Sequence, residues 1–185
     1  MKIYVLGSNS FVEEMVRRKD DLVALGYDGW IHPDYEAHVK GEKRAFPEDH
    51  SETADFKRSH NYIREHFDHI LESQAILIVN SEKRGIPNYI GGNVLMEMGH
   101  AYYHGRPIFF MHGMPDGLSY MDEIKAMDPI CLEGDLANIA NHIQNLTLPV
   151  IAARKLKSKK GSRTSKRKQS AGKSSKSAKR KKARR

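Results

Sequence analysis

Apolar and polar residues follow one another in blocks whose period switches between that of a strand and that of a helix. KIYVLG (2–7) is a short apolar run closed by glycine and reads as a buried first strand. Ser10 with Glu13 three residues on is a capping-box pattern, and Phe11, Met15, Leu22 and Leu25 recur at roughly helical spacing until Gly26. YDGWI (27–31) reads as a second strand, ended by Pro33. Residues 33–56 are polar and read as a long loop, a feature that in compact domains is often functional. Over 59–72, Tyr62, Ile63, His66, Phe67, Ile70 and Leu71 make a helical stripe. AILIVN (75–80) is nearly all apolar, which predicts a central strand covered on both faces. The spacing predicts a helix over 93–104, with Asn93 as N-cap and Gly105 as stop. PIFFM (107–111) is a fourth strand, 118–127 a short helix, and PICL (129–132) a fifth strand. Asp135 then caps a last helix, LANIANHIQNL (136–146).

Strands alternating with helices imply an α/β fold of three layers, α/β/α. Five strands predict a mostly parallel sheet in a flavodoxin-like or Rossmann-like order. Ligands of such sheets sit at the carboxyl ends of the strands. Two loops fall there: the turn Gly7–Ser10 and the glycine-rich loop 80–92.

Charge divides the chain in two. Residues 154–185 carry 17 Lys/Arg and no acid, while 1–153 hold the other 14 basic residues and all 23 acids, a net −9. The expected organisation is therefore an acidic α/β domain (1–153) and a basic tail (154–185). The tail has one Leu and no aromatic residue, so it is expected to be disordered. Its cations attract polyanions without reading sequence, which makes non-specific nucleic acid the expected partner. KRKKARR equally fits a nuclear address, and a merely solubilising tail is the remaining alternative. Cys131 is the single cysteine, which excludes a disulfide scaffold and fits a reducing compartment. The apolar start is too short for a secretory leader, and no run approaches a membrane span. A soluble, cytoplasmic protein without a membrane partner is expected.

Candidate chemistry gathers at the two loops. Gly7, Ser8 and Asn9 follow a strand and open a helix, where free N–H groups suit an anion or a ribose. The alternative is an ordinary turn whose Ser10 only caps. Lys83, Asn88, Tyr89 and Asn93 offer donors, an aromatic face and a phosphate clamp, with Asn80 at the strand end and Gly91 and Gly92 beside it. The alternative there is a solvated loop. Glu97 lies between Met96 and Met98. A carboxylate partly desolvated in the first turn of a helix is poised as a nucleophile toward a sugar carbon. Otherwise it is a helix-start acid that stabilises the dipole. No HExxH motif is present, since Ala101 and not Glu follows His100 in the pair His100–His104, and the chain has no cysteine cluster, so no metal is expected.

IYVLGS at the start, AILIVN, the glycine loop and MEMGHAYYHGRPIFF together resemble the nucleoside 2-deoxyribosyltransferase superfamily, which includes deoxynucleoside 5′-monophosphate N-glycosidases. The resemblance covers most of 1–132. Its most specific part is E-x-G-x-A-x-x-x-G-K/R-P-I/V at Glu97–Ile108. It implies that Glu97 attacks C1′ of the sugar, that Tyr4 positions it, and that Gly7 and Ser8 contact sugar or phosphate. It implies no cofactor, a nucleoside or nucleotide substrate, and a homo-oligomer. Ala75 stands where the family usually has Asp, and Gly91 where it has a polar contact to the 5′ end. The family's acid one helix upstream falls at Phe67, flanked by His66 and Asp68, and Asp68 is taken as the third catalytic residue. The expected activity is cleavage or transfer at an N-glycosidic bond. The alternative is a nucleotide-binding sensor without catalysis, tethered to nucleic acid by its tail.

The tail generates its own prediction. Nucleic-acid binding by the full chain should weaken with salt at a log–log slope of about −0.9 per phosphate neutralised on duplex DNA. Truncation to 1–153 should abolish it. Equal affinity of the two chains across a salt series would remove 154–185 from the account.

Overall fold

The computed structural model describes residues 1–42 and 54–143. The tail 154–185, the middle of the expected long loop and the end of the expected last helix lie outside the described residues. Met1–Ile139 form one compact unit. Of the second unit, Ala140–Arg185, residues 140–143 are described and are helical.

Among the described residues the sheet has five strands, all parallel, in the order β2-β1-β3-β4-β5. They are β1 (Lys2–Gly7), β2 (Asp28–Trp30), β3 (Ala75–Val79), β4 (Ile108–Phe110) and β5 (Ile130–Cys131). This is the flavodoxin-like order, as expected of the α/β fold. The helices are α1 (Val12–Ala24), α2 (Pro33–Val39), α3 (Ala54–Ser59), α4 (Tyr62–Glu72), α5 (Gly92–Tyr103) and α6 (Met121–Ala126). Among the described residues no helix is long and apolar enough to cross a membrane.

Period-2 alternation sorts the strand residues onto two faces. Tyr4, Leu6, Ile76, Ile78, Ile108 and Phe110 join Ile70 of α4, Val94, Met98 and Ala101 of α5 and Ile124 of α6 in one buried cluster. Ile3, Val5, Leu77, Val79 and Phe109 are equally buried and point the other way. That is the α1 side: a Cβ on Gly7 would stand 2.8 Å from Met15 Sδ and 2.9 Å from the Val79 carbonyl. β3 is buried along its whole length, as its unbroken apolar run predicts.

The helix ends follow local rules, with several corrections. Gly26 and Gly105 adopt positive φ (86° and 63°) and close α1 and α5 in the same Schellman pattern. The capping box at Ser10 and Glu13 does not form. Ser8 instead accepts the Ser10 N–H, opening a 3-10 turn (Asn9–Phe11) before α1. The expected loop 33–56 contains two helices. His32 caps α2 by accepting the Asp34 N–H at Nδ1, and Pro33 occupies the first turn, where a missing N–H costs nothing. α5 starts at Gly92 with Gly91 as N-cap, so Asn93 is not the cap. Asp135 accepts the Ala137 N–H at 2.9 Å within a turn, and the last helix begins at Asn138 rather than at Leu136.

β1 pairs with β2 on one side and β3 on the other, with Gly7 level with Val79. The chain direction across the sheet reverses between β1 and β3. Crevices in open α/β sheets form at the carboxyl ends at such a reversal.

Candidate active site

A cleft opens at that reversal. Its inner hollow has a volume of about 470 Å³ including the open mouth, and Gly7, Asn9, Tyr35, His66, Phe67 and Glu97 are among its lining residues. Glu97 is 8% exposed, which is exceptional for a carboxylate and requires a partner. The partner is His66. Its Nδ1 lies 3.0 Å from Glu97 Oε1 and 3.0 Å from the Tyr4 hydroxyl.

Each member is placed by a different element. Tyr4 is the third residue of β1 and is fully buried. His66 belongs to the buried stripe Tyr62–His66–Ile70 of α4. Glu97 is buried on α5 with Val94, Met98 and Ala101. It is the sixth residue of that helix rather than in its first turn, because the helix begins at Gly92. The helix dipole acts mainly within the first turn. An imidazole, not the dipole, therefore faces the carboxylate.

One nitrogen facing two oxygens forces a choice of protonation. Nδ1 of His66 holds either a proton or a lone pair. With the proton on Nδ1 it donates to the Glu97 carboxylate. With the proton on Nε2 it accepts from Tyr4, and Glu97 loses its donor. Tyr4 itself stays a phenol. Burial, then the negative charge of Glu97, hold its pKa well above the ordinary tyrosine value.

A second histidine braces the first. The His32 ring stacks on His66 at 5.5 Å with planes 3° apart. His32 Nδ1 accepts the Asp34 N–H at 3.2 Å and Nε2 lies 3.3 Å from Glu65 Oε2. That set fits the neutral ring protonated at Nε2. Desolvation accordingly lowers the His32 pKa, with the neighbouring His66 acting in the same sense. Tyr62 donates to Asp34 at 2.8 Å and Tyr35 to Asn9 Oδ1 at 3.4 Å, tying α2 and α4 to the cleft wall.

The outer hollow, about 800 Å³ with its open solvent, is lined by Ser8, Ser10, Lys83, Tyr89, Gly91 and Gly92 among others. Lys83 Nζ donates to Ser8 Oγ at 2.7 Å and stands 5.6 Å above the Tyr89 ring centroid. A two-residue hairpin turn holds this lysine. Arg84 and Gly85 take positive φ (56° and 77°), and Lys83 and Ile86 exchange backbone hydrogen bonds. Those are the marks of a type I′ turn.

Glu97, Tyr4, Gly7, Ser8, Asn9, Lys83, Tyr89, Gly91, Gly92 and Asn93 thus gather in or beside one cleft. Asp68, Asn80 and Asn88 do not. Asp68 is exposed and lines neither hollow. Asn80 is fully buried, donating to the Gly113 carbonyl and accepting the His112 N–H, both at 2.9 Å. Asn88 adopts φ 54° and donates to the Met114 carbonyl at 3.0 Å. Both asparagines pin the glycine loop to the segment after β4. Lys57 and Tyr35 also line the inner hollow; Tyr35 lies in the polar stretch 33–56 that reads as loop, and Lys57 in the gap between that stretch and the helical stripe over 59–72. Among the described residues no three His, Cys, Asp or Glu are arranged to hold a metal ion. Comparisons with protein-family models, curated proteins and solved structures return no match.

The raised Tyr4 pKa has a measurable sign. Folding favours the protonated phenol, so its contribution is complete below the free-tyrosine value of 10.0 and is lost as pH rises toward the folded pKa. In urea unfolding from about pH 8 to about pH 11, Tyr4→Phe should flatten part of the alkaline loss of stability. A slope identical to wild type would contradict the buried neutral phenol.

Proposed function

We propose that the chain cleaves or transfers the N-glycosidic bond of (deoxy)nucleosides or nucleotides, with Glu97 as the nucleophile at C1′. The resemblance to the nucleoside 2-deoxyribosyltransferase superfamily is part of this proposal. The observation that carries it is the buried Glu97 carboxylate with His66 and Tyr4 around it, in a cleft at the carboxyl ends of β1 and β3.

Nδ1–H of His66 donates to the Glu97 carboxylate and aims it. A carboxylate oxygen bonds to C1′ as the C1′–N bond breaks, and the base departs with the bonding pair. The base takes up a proton from water, and the acceptor that later opens the ester, water or a second base, gives one back. The glycosyl ester is then opened at C1′ by water or by a second base, which returns Glu97 as a carboxylate. Tyr4 stays neutral and orients the pair. The sugar lies over Glu97, the base against the aromatic wall of Tyr35, Tyr62 and Phe67, and the 5′ end toward Ser8 and Lys83. This substrate is bound without a metal or organic cofactor. A homo-oligomer, a cytoplasmic location and non-specific nucleic-acid contact through 154–185 belong to the same reading.

One observation favours the sensor alternative: Asp68, the expected third catalytic residue, is exposed and outside the cleft. The sensor reading predicts thermal stabilisation by nucleotides without turnover.

A single assay decides between the readings. A panel of (deoxy)nucleosides and monophosphates is incubated with wild type and with Glu97→Ala, and free or exchanged base is followed. Wild type should release or exchange base, and the variant should lose at least about a thousandfold in rate, the scale expected for removing a covalent nucleophile. No base from wild type, or equal rates for the two proteins, defeats the enzymatic reading.

A further inference from the structure

The tyrosines of the inner hollow use their hydroxyls inside the protein. Tyr35 donates to Asn9 and Tyr62 to Asp34. Tyr89, which lines the outer hollow, does not. Its backbone N–H donates to the Ser81 carbonyl at 3.1 Å, and the Lys83 ammonium stands 5.6 Å from its ring centroid. These contacts hold the residue by its backbone and its ring face. Among the described residues the Tyr89 hydroxyl has no hydrogen-bond partner, and its oxygen is open to solvent.

The phenol lies over the residue that opens α5. A Cβ on Gly91 would stand 3.4 Å from Tyr89 Cε1 and 3.7 Å from the hydroxyl oxygen. Gly91 has φ −88°, in the extended region that any residue adopts, so the backbone does not call for glycine there. Glycine instead leaves the phenol its room. A longer side chain at 91 would compete with the hydroxyl for the same space.

Charge favours an anion at this spot. Lys57 and Lys83 line the outer hollow with Ser8 and Ser10, and among the described residues no carboxylate does. Glu97 lines the inner hollow. A ligand with an anion at one end and an electrophilic carbon at the other lies in this field with the anion outward and the carbon toward Glu97.

We propose that the Tyr89 hydroxyl is the specificity-determining contact of the outer hollow, donating to the 5′-phosphate of a bound nucleotide and so favouring nucleotides over nucleosides. This deepens the glycosidic reading above and rests on its orientation of the sugar. A hydroxyl donates one hydrogen bond, and a bond to a charged phosphate oxygen is roughly twice as strong as one to a neutral 5′-hydroxyl. Lys83 contributes through its positive charge while it keeps its bond to Ser8. A tyrosine that only covers the rim would act through its ring, and its hydroxyl would be dispensable.

The test is binding, so it reads Tyr89 whether or not the bond breaks. The full chain is used with Tyr89 intact, as Tyr89→Phe, as Tyr89→Ala and as Tyr89→Ala with Gly91→Ser, each in the Glu97→Gln background to silence turnover. The probes are the four common 2′-deoxynucleoside 5′-monophosphates and the four matching nucleosides, titrated by calorimetry at fixed salt. The basic tail is common to all variants, so its contribution cancels in the comparison. For the monophosphate that binds best, Tyr89→Phe, which keeps the ring, should raise Kd about tenfold relative to its effect on the nucleoside, the scale of one hydrogen bond to a charged group. Gly91→Ser should return part of the selectivity lost in Tyr89→Ala, because it puts a hydroxyl back into the vacated space. Equal shifts for monophosphate and nucleoside, no shift for either, no recovery by Gly91→Ser, or no measurable monophosphate binding with Tyr89 intact overturns the proposal. Failure of the glycosidic reading alone would appear as absent base release with the Tyr89 selectivity intact.

Discussion

A carboxylate buried beside an imidazole is the constraint on which the rest of this structure turns. Glu97 has lost almost all its contact with water, and His66 is the group 3.0 Å away that compensates. A buried charge without such a partner would neutralise or unfold its surroundings. Holding the pair requires α4 and α5 to lie side by side over β1, because His66, Glu97 and Tyr4 come one from each. It also requires His66 to be fixed from behind. The stacked His32, held by its two hydrogen-bond partners and pushed toward the neutral form by burial, does this.

The sheet order makes the pair accessible. Reversal of the winding between β1 and β3 leaves the tops of those strands uncovered. Gly7 keeps that corner tight, since Met15 and the Val79 carbonyl fill the space a side chain would need. The glycine loop after β3 is anchored underneath by Asn80 and Asn88 and presents Lys83 and Tyr89 above. Anchoring and presenting residues alternate within one loop. That is why residues of the same chemical type, such as Asn88 and Asn93, end in different roles.

Much of this was legible in the amino-acid pattern, and the failures have physical causes. The five strands, the α1 and α5 stop glycines and the burial of β3 follow from apolar runs and glycine punctuation. Helix α2 was missed because Pro33 reads as a terminator in a polar stretch, although proline after a capping residue starts a helix equally well. Missing it, and α3 after it, hid Tyr35 and Lys57. Of the two neighbours of Phe67, helix geometry separates His66 from Asp68. Positions 66 and 68 lie about 200° apart around a helix, so only one can face the cleft. The apolar stripe through Tyr62 and Ile70 already selects His66. Tyr4, by contrast, was readable only through the family resemblance. A tyrosine in a buried strand does not reveal where its hydroxyl ends.

The central claim is that Glu97 forms a bond to the sugar, and mass spectrometry of the protein incubated with nucleosides and nucleotides tests it most directly. Reaction with the best substrate is quenched in acid, the chain is digested, and its peptides are searched for an added pentose or pentose phosphate. The account predicts that adduct on the peptide bearing Glu97, discharged when a second base or water is given time to react, and absent from Glu97→Gln. Base release with no adduct on that peptide, or an adduct on another side chain, would contradict it.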